Sequence, residues 1–132
     1  MRGYSIGNHG YFHLNGFKTD RKKYMENVIR GAEVSGSGFF RPPYGKITPA
    51  QYREVLGKYR IVFWSIMPYD FDNSLSARSV LKILRNGIRP GSIIALHDNS
   101  RSVAPVILNE FIDYCIEEGY NFDTLERLNL MG

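Results

Sequence analysis

All three histidines of this chain stand in short segments dense in groups that could do chemistry. His9 and His13 lie in Ser5-Ile6-Gly7-Asn8-His9-Gly10-Tyr11-Phe12-His13, and His97 lies in Leu96-His97-Asp98. Imidazole is the commonest metal ligand among side chains and the one that most readily exchanges protons near neutral pH. A pair spaced four apart, with a third histidine beside a carboxylate at the end of an apolar run, points to metal-assisted hydrolysis.

The elements that must position these residues alternate short apolar runs with helical periods, which implies an α/β domain with a mainly parallel sheet. Tyr4 to Gly7 reads as a short strand delivering His9. Asp20 can cap a helix running to about Ser35, with Tyr24, Val28 and Ala32 along one face and Gly36 as its stop. Phe39-Phe40 begins the next strand. Thr48-Pro49 is a hydroxyl cap followed by proline at the first helical position, and that helix should stop at Gly57. Arg60 to Ser65 reads as a buried strand, Ser76 to Asn86 as a helix, Ser92 to Leu96 as the clearest strand, and Ala104 to Glu118 as the last helix. Asn121 to Asp123 is expected to add a final strand. The histidines and the Arg41-Pro42-Pro43-Tyr44-Gly45 turn fall just beyond strand ends, where α/β folds place their chemistry.

Composition bounds the function. The 132 residues are enough for one domain, and 43% hydrophobic with 14% aromatic content excludes disorder. No stretch approaches the ~20 apolar residues of a membrane span. No apolar core follows Met1-Arg2-Gly3-Tyr4 as a signal peptide requires, which is expected of a cytoplasmic protein or of a chain lacking an N-terminal portion. The net charge of +4 does not announce a nucleic-acid partner: Asp20 and Glu26 interrupt the cluster of Lys18, Arg21, Lys22 and Lys23, and no aromatic-interleaved basic stripe accompanies it. The single Cys115 cannot form an internal disulfide and reads as a small buried hydrophobe on a helix face.

Taken in order, the segments resemble the polysaccharide deacetylase family, also called carbohydrate esterase family four, with the chitooligosaccharide deacetylase (NodB) homology domain. Gly3-Tyr4-Ser5-Ile6-Gly7-Asn8-His9 through His13 resembles its His-x-x-x-His metal motif, Phe40 to Gly45 its Arg-Pro-Pro-Tyr-Gly motif, Trp64 to Phe71 its fourth motif, and Pro90-Gly91-Ser92-Ile93-Ile94-Ala95-Leu96-His97-Asp98 its Pro-Gly-Ser…Leu-His-Asp motif. The resemblance extends to Gly119-Tyr120-Asn121-Phe122. Alone, a His-x-x-x-His pair is commonly two unrelated polar residues, and Arg-Pro-Pro-Tyr-Gly a rigid turn. The ordered set favours a site for the histidines, Arg41 and Tyr44, whereas Trp64 still reads as core and Asp70 as a loop-solvating acid.

The resemblance implies an incomplete (β/α) barrel of the polysaccharide deacetylase type, a single partial domain over residues 1–132 that lacks the first strands. It implies a divalent metal, zinc by expectation, on His9 and His13. His97, Arg41 and Tyr44 become the catalytic residues, with His97 protonating the leaving amine, the Tyr44 N–H facing the oxyanion and Arg41 orienting a base. Pro43, Phe71, Leu96 and Asp70 are expected on the substrate side, Phe71 and Leu96 around the acetyl methyl. Two departures stand out. The family's Thr-Phe-Asp-Asp-Gly segment, which supplies the base and a metal carboxylate, has no counterpart here. The fourth motif, usually Asp-x-x-Asp-Trp, reads Met67-Pro68-Tyr69-Asp70-Phe71, so the carboxylate that tunes the catalytic histidine in family members is left without an assigned residue.

Two functions follow. One is a metal-dependent hydrolase removing acetyl groups from an N-acetylated (or O-acetylated) polysaccharide, a cell-envelope or chitin-like glycan, in an envelope or extracytoplasmic setting. The other is a catalytically incompetent family member that binds carbohydrate or another chain. An in-frame Thr-Phe-Asp-Asp-Gly segment upstream of Met1 would favour the first and a stop codon the second. A metal phosphohydrolase built on His97-Asp98 would need more histidines. An open parallel sheet also presents unpaired backbone groups, so a homo-oligomer, most simply a twofold dimer covering the edge near His9, is expected.

Overall fold

Helix boundaries follow the capping chemistry. The Asp20 carboxylate accepts from the Lys23 N–H at 2.9 Å and opens α1, Arg21–Ser35, which Gly36 ends in a left-handed conformation with φ 66°. Thr48 opens α2, Pro49–Leu56, with a complete capping box: its hydroxyl accepts from the Gln51 N–H, and Gln51 Oε1 accepts from the Thr48 N–H. Ser76 caps α3, Ala77–Gly87, through the Ser79 N–H, and α4 spans Ala104–Glu117. All four helices lie where the spacing places them. This computed structural model describes residues 3–127, so Met1 and Arg2 of the segment read for a leader lie outside them.

The strands are shorter than the apolar runs predict. Phe39–Phe40 forms β1 and Arg60–Ile61 forms β2; they pair in parallel, Phe39 opposite Arg60 and Phe40 opposite Ile61. Tyr4 to Gly7 is not a strand, and only Asn8 makes a parallel bridge, to Phe40. The run from Ser92 to Leu96 reduces to a parallel bridge between Ile94 and Ile66, and residues 121–123 form no strand. A ladder extends only while two neighbouring backbones keep offering each other donors and acceptors in register. Here each run makes a few such bonds, as Asn8 does with Phe39 and Arg41, and then turns into a loop carrying a site residue. The pairings that do form are parallel, as the α/β reading requires.

Contacts divide the described residues into two compact units, residues 3–63 with 124–127, and residues 64–123. In the first, Tyr24, Met25 and Val28 of α1 bury against Phe40 of β1 and Val55 of α2. The Tyr24 ring meets the Phe40 ring edge-on at 6.2 Å, and burial pushes the Tyr24 hydroxyl up to about 12. In the second, Val80, Leu81 and Leu84 of α3 pack with Ile107, Phe111 and Cys115 of α4, which confirms Cys115 as a buried hydrophobe. Among the described residues, no helix is long and apolar enough to cross a membrane.

Candidate active site

In the first unit, the histidine segment is held by buried amides. Asn8 donates through Nδ2 to the Val28 carbonyl at 2.8 Å and accepts the Gly10 N–H on Oδ1 at 2.9 Å. Asn27 Oδ1 accepts the Phe12 N–H at 2.7 Å. Gln51 Nε2 donates to the Gly16 and Thr19 carbonyls, each at 2.9 Å. Through these bonds the three buried amides tie the loop after Asn8 to α1 and α2. Sequence reasoning missed them, although Asn27 beside Val28 on the inward side of α1 was the available signal.

The geometry of the histidine pair is one that could share a ligand. His9 Nδ1 lies 2.6 Å from the Arg41 carbonyl, an acceptor, so Nδ1 carries the proton and Nε2 the lone pair. His13 Nε2 lies 3.1 Å from His9 Nε2. Two nitrogens bonded at about 2.0–2.1 Å to one tetrahedral ion stand roughly 3.3 Å apart, so this separation matches a shared metal. His13 also holds a left-handed backbone, φ 55°, a strained state for a residue with a Cβ and one that recurs at functional sites. Its ring meets the Tyr44 ring edge-on at 4.8 Å. Tyr44, at φ 61° in the short 3-10 turn Pro43–Gly45, is exposed above buried Pro42 and Pro43. Pro43 therefore supports the turn from beneath rather than facing a ligand.

Arg41 braces this arrangement. Its Nε donates to the Val62 carbonyl at 3.2 Å, and burial pulls its guanidinium below the usual range. Its backbone N–H bonds Asn8 while its carbonyl orients His9, a role for Arg41 that its family motif did not suggest. Among the described residues, no group of three or more His, Cys, Asp or Glu side chains is placed to hold a metal. The two imidazoles could hold an ion between them, and among the described residues no carboxylate is placed to join them.

The second unit corrects the reading of Asp70. This residue is fully buried, so it neither solvates its loop nor faces substrate. Its Oδ1 accepts from His97 Nδ1 at 3.0 Å, and its Oδ2 accepts from the His97 backbone N–H at 2.6 Å and the Ser102 hydroxyl at 2.5 Å. Burial works to raise its pKa, but the bonds from Ser102 and His97 outweigh it and hold the carboxyl below its ordinary value. Asp70 is thus the carboxylate under His97, and the loss of an acid at Met67 leaves the pair intact. The Phe71 ring stands edge-on to the His97 ring at 4.6 Å, and Leu96 packs half-buried on the α3–α4 core. Tyr69, exposed at φ 57°, flanks Phe71 and was not anticipated.

No family model matches the chain. It is 37% identical over 108 residues to a chitooligosaccharide deacetylase of Azorhizobium caulinodans, covering 74% of this chain and 50% of that protein. It is 31% identical over 102 residues to a peptidoglycan-N-acetylglucosamine deacetylase of Bacillus cereus, covering 72% and 37%. The chain is a homologue of the family 4 carbohydrate esterases. Solved structures agree: a peptidoglycan N-acetylglucosamine deacetylase superposes with TM-score 0.86 at 28% identity, over 93% of this chain and 62% of that one. A family 4 acetyl xylan esterase from Clostridium thermocellum, solved with a cobalt ion, superposes at TM-score 0.82 and 26% identity, over 94% and 63%. A family 4 pseudoenzyme from Bacillus anthracis shares the fold at 19% identity and TM-score 0.81, over 92% and 45%. This esterase homologue thus spans half or less of the curated relatives it matches, and its fold matches that of the solved family 4 structures.

Proposed function

We propose that this chain contributes the acid and two metal ligands of a deacetylase acting on an N-acetylated (or O-acetylated) polysaccharide, of the peptidoglycan or chitin-like kind that its relatives' names indicate. The observation that carries the reading is the His9–His13 pair, with Nε2 atoms 3.1 Å apart and the His9 tautomer fixed by Arg41. Amide hydrolysis needs a polarised carbonyl, an activated water and a protonated leaving amine. A divalent ion on His9 and His13, zinc or cobalt, would supply Lewis acidity for the first two. His97 carries the proton for the leaving nitrogen on Nε2, because Asp70 occupies Nδ1 and stabilises the imidazolium. The Tyr44 turn offers a backbone N–H to the developing oxyanion, a contact commonly worth about 3 kcal/mol. Arg41 acts through the backbone, and Phe71 shields the His97 ring.

Catalytic zinc sites usually have three protein ligands, so metal binding by this chain is expected to be weak. Titration with cobalt should give a low-affinity visible band that disappears in His9→Ala and in His13→Ala. An absent band, or one that survives both substitutions, would overturn the assignment. Deacetylation of an acetylated chito-oligosaccharide by the purified chain is expected to stay close to background, and robust turnover would refute the undercoordination argument. The second reading, a non-catalytic carbohydrate- or protein-binding chain, is favoured by the lack of a third ligand among the described residues. The homo-oligomer is proposed on the exposed Tyr4 and Ile6 beside bridging Asn8, and a clean monomer mass by light scattering would count against it.

A further inference from the structure

Ser102 sits between the His97 loop and α4, and its hydroxyl works in both directions. Oγ accepts the Ala104 N–H at 3.0 Å and donates to Asp70 Oδ2 at 2.5 Å. The Ala104 amide is one of those at a helix start with no partner inside the helix, and Val103, at the cap position, offers no side-chain bond. Accepting from that amide polarises the hydroxyl and strengthens it as a donor. A second tie runs from the Val103 N–H to the Asp70 carbonyl at 2.9 Å. The amino end of α4 therefore grips Asp70 by side chain and by backbone.

The grip matters because the last torsion of an aspartate is broad, so bonds rather than rotamer preference fix the plane of its carboxylate. Oδ1 stays on His97 Nδ1 only if Oδ2 is held on the opposite side. We propose that Ser102 is a positioning residue that locks the Asp70 carboxylate against His97 and thereby sets the tautomer and proton affinity of that histidine. The proposal rests on Asp70–His97 being the acid pair of the proposed function, but its test reads His97 directly. Around the imidazole, Asp70 is the acid in contact, Phe71 is uncharged, and Asp98 and Arg101 share its loop and are exposed.

The direction follows. A carboxylate free to rotate spends less time on Nδ1, so it stabilises the imidazolium less, and the Nδ1–H tautomer loses its acceptor. In the full chain, ring 15N and 13C shifts followed against pH, with His97 assigned by its loss in His97→Asn, give both quantities. Ser102→Ala should lower the His97 midpoint and mix the tautomers, while Asp70→Asn should lower it further. Ser102→Thr, which keeps the hydroxyl, should titrate like the wild type. Ser102→Cys, of similar volume but a poor donor, should behave like the alanine variant and serves if that variant does not fold. An unchanged or raised midpoint in both the alanine and cysteine variants overturns the proposal. An unmoved midpoint in Asp70→Asn overturns it together with the acid-pair reading. Failure of the chain to deacetylate any glycan bears on the proposed function and touches neither measurement.

Discussion

Asp70→Ala is expected to lower the stability of the unit that holds it by about 3 kcal/mol, a large share of the 5–15 kcal/mol typical of a folded domain. The substitution strands three donors: the His97 amide, His97 Nδ1–H and the Ser102 hydroxyl. Each buried donor left without an acceptor costs roughly 1–3 kcal/mol, while relief from burying a charge offsets part of the sum. The His97 ring is partly exposed and can bond to water instead, which keeps the total at the lower end. The loss should depend on pH with a definite sign. The folded carboxyl titrates below its unfolded value of about 3.9, so its stabilisation is fully present above that value and fades as acid protonates the folded group. Urea denaturation should therefore show a gap between wild type and Asp70→Ala that is present at neutral pH and narrows below about 4, as the folded carboxyl is protonated. A gap under about 0.5 kcal/mol at pH 7, the range of an ordinary surface substitution, or one that does not narrow below about 4, would mean that Asp70 does not hold this network.

Helices and site residues were legible in this sequence to different degrees, for physical reasons. Asp20, Thr48, Ser76 and Gly36 act on backbone groups a few residues away, so their effect is written locally, and α1 to α3 start and stop where those residues stand. Strand extent is not local. Ile93, Ile94 and Ala95 look like a buried strand, yet how far they pair depends on where Ile66 stops running beside them. The His9–His13 spacing was legible because both ligands come from one short segment. Asp70 was misread because its partner is 27 residues away and the loop around it is polar, the setting in which an acid ordinarily faces water. Pro68 beside it is buried, Tyr69 takes a positive φ and the Asp70 side chain itself is buried, and no pattern within the loop displays that.

The histidine pair should fail through a residue that never touches it. Gly31 lies inside α1, where replacing glycine by alanine ordinarily stabilises a helix by about 1 kcal/mol. Here a Cβ would fall 2.2 Å from Asn8 Oδ1 and 3.1 Å from the Gly10 carbonyl carbon. The first distance is impossible, so Asn8 must leave. With it go the bonds to the Val28 carbonyl and the Gly10 N–H, and the bridge to Phe40 loses its anchor. The Gly10 N–H and the displaced Asn8 amide, left unmatched at roughly 1–3 kcal/mol each, outweigh the helical gain, for a net loss of about 2–4 kcal/mol. Because His9 follows Asn8 directly, its ring should move off the Arg41 carbonyl and the paired nitrogens should separate, so cobalt binding should vanish along with the stability. Gly36→Ala is the contrasting case. A Cβ there meets nothing within 4 Å, and its cost comes from the left-handed backbone alone, about 1 kcal/mol. It should melt slightly early and bind cobalt as the wild type does. If Gly31→Ala is as stable as the parent and keeps its metal, α1 does not seat the histidine segment, and the tie from Asn8 to His9 is not what aims the ligand.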